Sequence, residues 1–330
     1  MKLKLAVIGC GIKASQYIET WITRNDIELV AISDVSQPAM DNASELCQSN
    51  GLPKPRTYLE WPQLLENEHQ HIDAVYVCTP HAFHADQAVM ALQHIDVLLE
   101  KPMVTTVAEA EAVIEAKNTS GNALVIAYQG GLSPLTHKLA DDVVNKTYGE
   151  LVSINGAIWE DWATKYSGGH WKQRPEISGG GFMFDTGAHL MNTVSMVCGS
   201  DFAQISAMME NRNQSVDVVT AAIGRLKNNT LFTLHASGES IPVCESRIEL
   251  FFTEATVKLC AWGRWIEIER PGKKIERIEQ ESANNLMDIF LEVRKGNREN
   301  PSPAEQGLKM ARLWDAIKDS AAKGGQPVDC

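Results

Sequence analysis

The segment AVIGCGIKAS, residues 6–15, joins an apolar run to the spacing G-x-G-x-x-A. Gly9 permits a tight turn, Gly11 lets a pyrophosphate approach the backbone, and the small Ala14 lets the following helix pack on the strand. Asp34 ends the next apolar run, LVAISD, at the distance expected for a carboxylate that binds a ribose. Asp34 has a second interpretation, as a turn residue after a strand. Together these residues predict a dinucleotide site.

The apolar runs around this segment predict a parallel sheet. KLAVIG, ELVAIS, DAVYVCTP, DVLLEKP and ALVIAY are separated by helix-like stretches such as 82–93 and 107–118. Nearly continuous Val, Ile and Leu is typical of parallel strands that are buried on both faces. We therefore predict an N-terminal, doubly wound Rossmann domain over residues 1–125 that binds NAD.

The remaining residues, 126–330, follow another pattern. After a helix in SPLTHKLADDVVNK, alternating runs succeed one another without helices, and two helices near 282–295 and 303–322 close the chain. This predicts a C-terminal α+β domain for substrate binding and oligomerisation, with an open, mostly antiparallel sheet that is covered on one face. The strands are expected at 150–160, 203–210, 216–226, 229–237, 246–252, 256–260 and 264–269.

Composition restricts the partners and the compartment. The formal charge of −12 over 330 residues disfavours nucleic acid and anionic membrane surfaces, which bind basic faces. The seven scattered cysteines contain no C-x-x-C pair, which is typical of reduced thiols rather than of disulfides or zinc sites. The apolar run after MKLK is too short for a signal peptide, and no stretch is long enough to span a membrane. We expect a cytoplasmic protein.

Two further strand ends carry polar residues at the edge where open α/β sheets bind ligands. In CTPHAFH, Thr79 and Pro80 follow a strand, and His84 is expected to face the cofactor or to cap the next helix. His81 and His84 have a spacing that a metal could use, but no third ligand is nearby, so no metal is expected. In LLEKPM, Glu100 and Lys101 follow the next strand. Candidate cofactor residues at these two strand ends are Thr79, Pro80, His84, Glu100 and Lys101.

The coenzyme preference follows from Asp34. The segment after it, VSQPAM, holds no Arg or Lys, so a 2′-phosphate would meet a like charge and find no partner. NAD is therefore favoured over NADP. Ile12 and Lys13, which follow Gly11, are further candidate cofactor residues.

The segment SGGGFMFDTGAHLMN, residues 178–192, is the strongest signal in the second half. Three successive glycines indicate close backbone approach, because they remove every side chain from the segment. If a helix starts at Asp185, then Asp185 and His189 lie on one face. The alternative is that Asp185 is an N-cap and His189 a core histidine.

The order of these motifs resembles the glucose-fructose oxidoreductase, inositol dehydrogenase and rhizopine-catabolism (Gfo/Idh/MocA) family over essentially the whole chain. The motifs are G-x-G-x-x-A, the strand-end aspartate, C-T-P-x-x-x-H, E-K-P and G-G-G-x-x-x-D-x-G-x-H. The resemblance implies catalysis between a Rossmann domain and an open-sheet domain. It implies that Lys101, Asp185 and His189 are catalytic and that they contact substrate.

The chemistry agrees with that assignment. Oxidation of a secondary alcohol needs a group that takes the hydroxyl proton, and an imidazole such as His189 titrates in the right range. Lys101 would stabilise the developing alkoxide, and Asp185 would orient His189, Lys101 or a substrate hydroxyl. This predicts an NAD-dependent dehydrogenase acting on a cyclic polyol, a sugar or a sugar derivative.

The segment IWEDWATKYSGGHWKQRPEIS suits a carbohydrate, because it offers aromatic faces with polar tips. Trp159, Trp162 and Tyr166 are alternatives, but the preferred substrate contacts are those nearest the glycine run, namely His170, Trp171 and Arg174. His235 is expected on a strand face.

Two departures and two rival functions accompany this interpretation. Many relatives have an arginine pair where this chain has YQGGLSP, so Gln129 is a candidate cofactor residue, and HID replaces the usual glycine turn before the E-K-P strand. The rivals are a glycoside hydrolase that oxidises its substrate transiently with bound NAD, and a non-catalytic NAD-responsive regulator. The alternating strands need cover, so we expect a homodimer or homotetramer.

Overall fold

The computed structural model describes residues 2–280 and 286–330, and these fall into two compact units. The first unit comprises Met1–Val104, Ala108–Ala127 and Met287–Glu305. The second comprises Thr105–Val107, Tyr128–Leu286 and Gln306–Cys330. The division at residue 125 and the roles given to the two domains stay predictions. The first residues of the helix expected near 282–295 lie outside the described residues.

Helices and strands alternate along the first unit, as its apolar runs predict. Its elements are β1 (Leu3–Ile8), α1 (Ile12–Trp21), β2 (Ile27–Ser33), α2 (Gln37–Ser49), β3 (Arg56–Tyr58), α3 (Trp61–Glu68), β4 (Ala74–Val77), α4 (His84–Leu92), β5 (Asp96–Leu99), α5 (Val107–Ser120) and β6 (Leu124–Ile126).

The second unit begins with helices and continues with strands. Its elements are α6 (Gln129–Leu132), α7 (Pro134–Val144), β7 (Leu151–Trp159), α8 (Trp162–Lys165), α9 (Pro175–Ser178), α10 (Phe182–Asp185), α11 (Gly187–Val197), β8 (Phe202–Glu210), β9 (Val219–Leu226), β10 (Leu231–Ser237), β11 (Glu245–Phe252), β12 (Thr256–Leu259), β13 (Trp265–Glu269) and β14 (Glu276–Glu279). After these come α12 (Leu286–Arg294), which lies almost wholly in the first unit, α13 (Ala304–Ala322) and β15 (Val328–Asp329).

The sheet of the first unit is parallel, in the order β3-β2-β1-β4-β5-β6. Every residue of β4 is buried, as expected for a central strand covered by helices, and the edge strand β6 is also buried throughout. From β1 the strand order runs through β2 to β3 on one side and through β4 to β6 on the other, so it changes direction between β1 and β4. In such sheets the ligand site lies at the carboxyl ends of these strands. The prediction of a doubly wound Rossmann sheet is confirmed.

The sheet of the second unit has the order β14-β13-β12-β11-β7-β10-β9-β8-β15. The pairing of β7 with β10 is parallel, and the other pairings are antiparallel, so the predicted mostly antiparallel sheet is confirmed. The helix α11 packs on one face of this sheet. A Cβ at Gly156 of β7 would lie 2.8 Å from Leu190 of α11, so glycine at this position permits the close contact.

The other face of this sheet carries exposed side chains. Residues on β7 to β10 alternate between buried and exposed, and the exposed set includes Met208, Ile223 and Leu231. Within residues 2–280 and 286–330, no helix has the length and apolar character that crossing a bilayer requires.

Candidate active site

The glycine loop between β1 and α1 has the geometry of a phosphate-binding turn. Gly9 has φ +91°, and a Cβ there would collide with the backbone of Cys78, so only glycine fits. The space beside Gly11 is open, since a Cβ there would meet no heavy atom within 4 Å. Gly11 also precedes the first turn of α1, where no side chain caps the backbone N–H groups. A pyrophosphate fits this loop.

The carboxylate of Asp34 is held by backbone groups on both of its oxygens. Cys10 N donates to Oδ2 at 2.7 Å and Ser36 N donates to Oδ1 at 2.8 Å. Because one donor belongs to the glycine loop, Asp34 is fixed relative to that loop. The residues beside it are apolar and unusually exposed, with Val35 at 86% and Ile12 at 84%. This arrangement fits the ribose and base of a dinucleotide.

His84 joins two of the strand-end motifs. Its side chain is fully buried, Nδ1 lies 2.9 Å from the Pro102 carbonyl oxygen, and Nε2 lies 2.9 Å from the Thr79 carbonyl oxygen. Burial lowers the pKa of the His84 imidazole against the opposing effect of both carbonyls. The ring nitrogens are thus engaged with the backbone just after β4 and just after β5. A direct contact of His84 with the cofactor stays a prediction.

Glu100 also holds the end of β5 in place. The Tyr76 hydroxyl donates to its Oε1 at 2.7 Å, and the Lys101 backbone N–H donates to its Oε2 at 3.2 Å. The Thr79 hydroxyl, at the end of β4, donates to Gln87 at 2.6 Å. Lys101 and Thr79 therefore stand at the carboxyl edge of the sheet, the edge that also carries the glycine loop.

Three other predicted cofactor residues lie on turns or helix ends. Pro80 precedes a short 3₁₀ turn, and the Lys13 ammonium lies 4.5 Å from the centre of the Tyr17 ring. Gln129 opens α6, in the second unit. The assignment of these residues to the cofactor stays a prediction.

In the second unit the glycine run is held by a carboxylate that sequence reasoning did not identify. Gly181 N donates to Asp217 Oδ1 at 2.6 Å, and Met183 N donates to Oδ2 at 3.0 Å. A Cβ on Gly181 would collide with the Asp217 backbone. Burial raises the pKa of Asp217, while the donors from Met183 and Gly181 act in the other direction. Asp217 therefore serves the start of α10 as an N-cap side chain would.

Asp185 is not the N-cap of its helix. The helical segment starts at Phe182, and Asp185 is the last residue of α10. Its Oδ2 accepts from Trp162 Nε1 at 2.8 Å and from Lys172 Nζ at 2.5 Å. The side chains of Asp185 and Lys172 are only 3% and 16% exposed. The carboxylate is thus a buried, ion-paired group and not a surface cap.

His189 lies in the first turn of α11, and only Thr186 separates this helix from Asp185 at the end of α10. It is 8% exposed, and its backbone N–H bonds the Thr186 carbonyl oxygen at 3.1 Å. Its ring centre lies 5.8 Å from that of Trp262. The structure thus places Asp185 and His189 on the two consecutive helices that follow the glycine run.

Of the three predicted substrate contacts, His170 and Trp171 are partly buried and Arg174 is exposed. His170 Nδ1 accepts from Lys172 N at 3.2 Å, and its pKa is lowered by burial and then by Lys172, whereas Asp185 opposes this. Trp171 lies beside it, with ring centres 5.7 Å apart, but Arg174 is exposed. His170 and Trp171 therefore lie near Asp185, and their contact with substrate, like that of Arg174, stays a prediction.

Sequence reasoning missed Lys172 and Asp217. Lys172 stands inside HWKQR, next to two residues that were selected, but thirteen positions before its partner, so spacing gave no signal. Asp217 had a signal, since an aspartate inside the apolar run SVDVVT needs hydrogen-bond donors if that run is buried. Among the described residues, no group of three or more His, Cys, Asp or Glu side chains could hold a metal ion.

Comparison with family models identifies the chain. The model of the oxidoreductase family with an NAD-binding Rossmann fold (GFO_IDH_MocA) matches residues 3–128. The GFO/IDH/MocA C-terminal domain matches residues 137–258. The chain belongs to the Gfo/Idh/MocA oxidoreductase family. The suspected resemblance is confirmed.

Similar proteins include sugar dehydrogenases. The chain is 27% identical to a D-glucoside 3-dehydrogenase of Escherichia coli, over 98% of this chain and 96% of that protein. It is also 27% identical to an NADP⁺ D-xylose 1-dehydrogenase of Haloarcula marismortui, over 87% and 81% of the two chains. A glycosyl hydrolase family 109 protein of Stenotrophomonas maltophilia is 33% identical over 98 residues, which are 28% of this chain and 21% of that one.

A solved structure shares the fold. An inositol dehydrogenase homologue from Azotobacter vinelandii, in complex with NAD⁺, superposes with a TM-score of 0.85 at 16% identity, covering 100% of this chain and 98% of that one. The chain is thus a family member with the family's fold, and the family relatives act on sugars.

Proposed function

We propose that this protein is an NAD-dependent dehydrogenase that oxidises a secondary alcohol of a cyclic polyol, a sugar or a sugar derivative. The observation that carries the proposal is the pair Asp185 and His189. These are two buried titratable side chains on the consecutive helices that follow the glycine run in sequence. Such clustered titratable groups are a feature of catalytic sites. The glycine loop and Asp34 support NAD as the cofactor, and bound NAD would supply the hydride-accepting ring.

Each catalytic residue has a distinct role in this proposal. His189 takes the hydroxyl proton as general base and returns it in the reverse direction. Lys101, at the end of β5, donates to the reacting oxygen and stabilises the charge that develops on it. Asp185 orients His189 or a neighbouring hydroxyl of the substrate. In the aromatic segment before the glycine run, His170 and Trp171 are the proposed contacts for a sugar ring, and Arg174 is the third proposed substrate contact.

The compartment and assembly belong to the same proposal. All seven cysteines are free, which supports a reducing compartment such as the cytoplasm. The net charge of −12 supports a small-molecule substrate over nucleic acid or a membrane surface. A homodimer or homotetramer is proposed because one face of the larger sheet carries exposed apolar side chains.

The test is a screen of cyclitols, aldoses, lactones and glycosides with NAD, read by nicotinamide absorbance. Replacing His189 by Ala should lower turnover by roughly 10²- to 10⁴-fold and leave NAD affinity nearly unchanged, because a general base acts when the proton moves. His94→Ala is the matched control, since His94 lies exposed after α4 in the first unit.

The readout separates this function from its rivals. A dehydrogenase accumulates NADH in proportion to product, whereas a redox-cycling hydrolase of the kind suggested by the family 109 relative releases sugar with no net change. Normal turnover in His189→Ala would contradict the catalytic assignment. Binding of NAD without turnover of any compound in the screen would support a regulator instead.

A further inference from the structure

The ion pair between Lys172 and Asp185 points to an additional residue of the site. Lys172 Nζ lies 2.5 Å from Asp185 Oδ2, and both side chains are largely removed from solvent, with 16% and 3% exposure. Trp162, whose side chain is fully buried, donates its Nε1–H to the same oxygen at 2.8 Å. Two donors on one oxygen fix the plane and the rotamer of the carboxylate.

Asp185 needs a nearby cation to stay ionised, because its surroundings are buried and apolar. Phe182, Met183 and Phe184, the three residues before it, are all buried. A carboxylate removed from water into such surroundings becomes protonated unless a cation compensates it. The Trp162 N–H is a neutral donor, and Lys172 supplies a compensating positive charge at 2.5 Å.

Lys172 is itself held in place by aromatic faces. Its ammonium lies 4.1 Å from the centre of the Tyr166 ring and 5.6 Å from that of Trp171. The Tyr166 and Trp162 rings are 5.5 Å apart, which closes a cluster around the ion pair. Burial lowers the pKa of Lys172, but Asp185 and Tyr166 outweigh that effect and raise it above its ordinary value. Lys172 is therefore charged when Asp185 is.

We infer that Lys172 is a positioning residue that keeps Asp185 ionised and oriented for the reaction, an inference that rests on the function proposed above. An ionised and fixed Asp185 can accept a hydrogen bond from His189 or from a substrate hydroxyl, whereas a protonated one would compete as a donor. Lys172 thus acts through Asp185 and needs no contact with substrate.

Other charged groups surround the pair and bear on its titration. Lys165 is paired with Glu160 at 2.6 Å, and Glu160 accepts from the Thr186 hydroxyl at 3.3 Å. Tyr166 and His170 interact electrostatically with the pair, and the titratable groups on the adjoining elements are Glu160, Lys165, Arg174 and His189.

The first experiment measures the Asp185 titration directly. The carboxyl ¹³C resonance, assigned with Asp185→Asn, is followed against pH in the native protein and in Lys172→Met. Loss of an opposite charge at this distance should move the titration midpoint up by about one to three pH units. Lys172→Arg, which keeps the charge, should leave the midpoint close to the native value. The same midpoint in the native protein and in Lys172→Met would overturn the inference.

The second experiment follows turnover. In Lys172→Met the acid limb of the kcat/KM profile should move to higher pH by the same interval, and Lys172→Arg should restore it. Lys146→Met is the matched control, because it removes a lysine whose ion pair with Glu150 lies at the surface, with both side chains more than half exposed. A turnover loss in Lys172→Met that is equal at every pH, or that Lys172→Arg does not restore, would reduce Lys172 to a structural residue.

The two proposals fail in different ways. If the native protein turns over none of the screened compounds, the proposed dehydrogenase function fails, while the ¹³C titration still decides whether Lys172 holds Asp185 ionised. If Lys172→Met does not fold, the double variant Lys172→Met/Asp185→Asn removes both charges. Recovery of folding in the double variant supports the ion pair, and its continued absence counts against it.

Discussion

At the scale of single residues, coenzyme preference depends on Asp34. The carboxylate is fixed by the N–H groups of Cys10 and Ser36, so it cannot turn away from a coenzyme that carries a 2′-phosphate. Val35 follows it with an exposed apolar side chain and supplies no cation. We expect NAD to bind at least about tenfold more tightly than NADP, a difference of about 1.4 kcal/mol. Fluorescence titration with the two coenzymes measures this ratio.

Variants test the cause of that preference. Asp34→Ser with Val35→Arg should bring the affinities for NAD and NADP closer together, because the like charge is removed and a partner for the 2′-phosphate is added. Asp41→Ser removes an exposed carboxylate on α2 and should leave the ratio unchanged. The similar D-xylose 1-dehydrogenase of Haloarcula marismortui is named for NADP⁺, so coenzyme preference has to be measured for each chain. Equal binding of both coenzymes by the native protein would exclude Asp34 as the selective group.

At the scale of elements, the start of α10 depends on Asp217. Its carboxylate accepts from two backbone N–H groups of the glycine run and, at 3.4 Å, from the Thr220 hydroxyl. Asp217→Ala leaves both N–H groups buried without an acceptor, which costs about 1–3 kcal/mol for each group. We expect faster amide hydrogen exchange at Gly181 and Met183, and a lower turnover because α10 carries Asp185.

The matched control is Asp201→Ala. Asp201 is a half-exposed aspartate of the same unit whose partners are Lys227 and Lys309 at the surface, and such pairs contribute little. It should change neither exchange at Gly181 nor turnover. Native exchange rates at Gly181 and Met183 in Asp217→Ala would show that Asp217 does not hold the glycine run.

At the scale of the whole molecule, much of the fold was predictable because its signals are local. Continuous apolar runs predicted parallel strands, alternating runs predicted the open sheet, and Gly9 and Asp34 followed from spacing alone. The strands that escaped prediction, β3, β14 and β15, are short and polar, with the sequences RTY, ERIE and VD. Such strands form by pairing with a neighbour and carry little pattern of their own.

The candidate site was predictable only in part, because its contacts are not local. Asp185 and His189 stand close in sequence and were identified from the glycine run beside them. The partners of Asp185 are 13 and 23 residues away, and Asp217 is 36 residues from Gly181. Tertiary packing brings these residues together, and no periodic pattern in the sequence indicates such contacts. The same packing explains why the helix begins at Phe182 and not at Asp185.

The open face of the larger sheet carries the last prediction, which concerns assembly. The exposed apolar residues of this face are 37–69% exposed and lie on β8, β9, β10 and β11; they are Met208, Ile223, Leu231 and Phe251. An apolar face of this kind is covered when two copies bury about 800 Å² each. Light scattering at micromolar concentration should therefore give the mass of a dimer or tetramer. Ile223→Glu, which puts a charge on β9 between Met208 and Leu231, should shift the mass towards the monomer. Val144→Glu should not, since Val144 is exposed at the end of α7. A native monomer, or an equal effect of the two variants, would mean that this face does not form the interface.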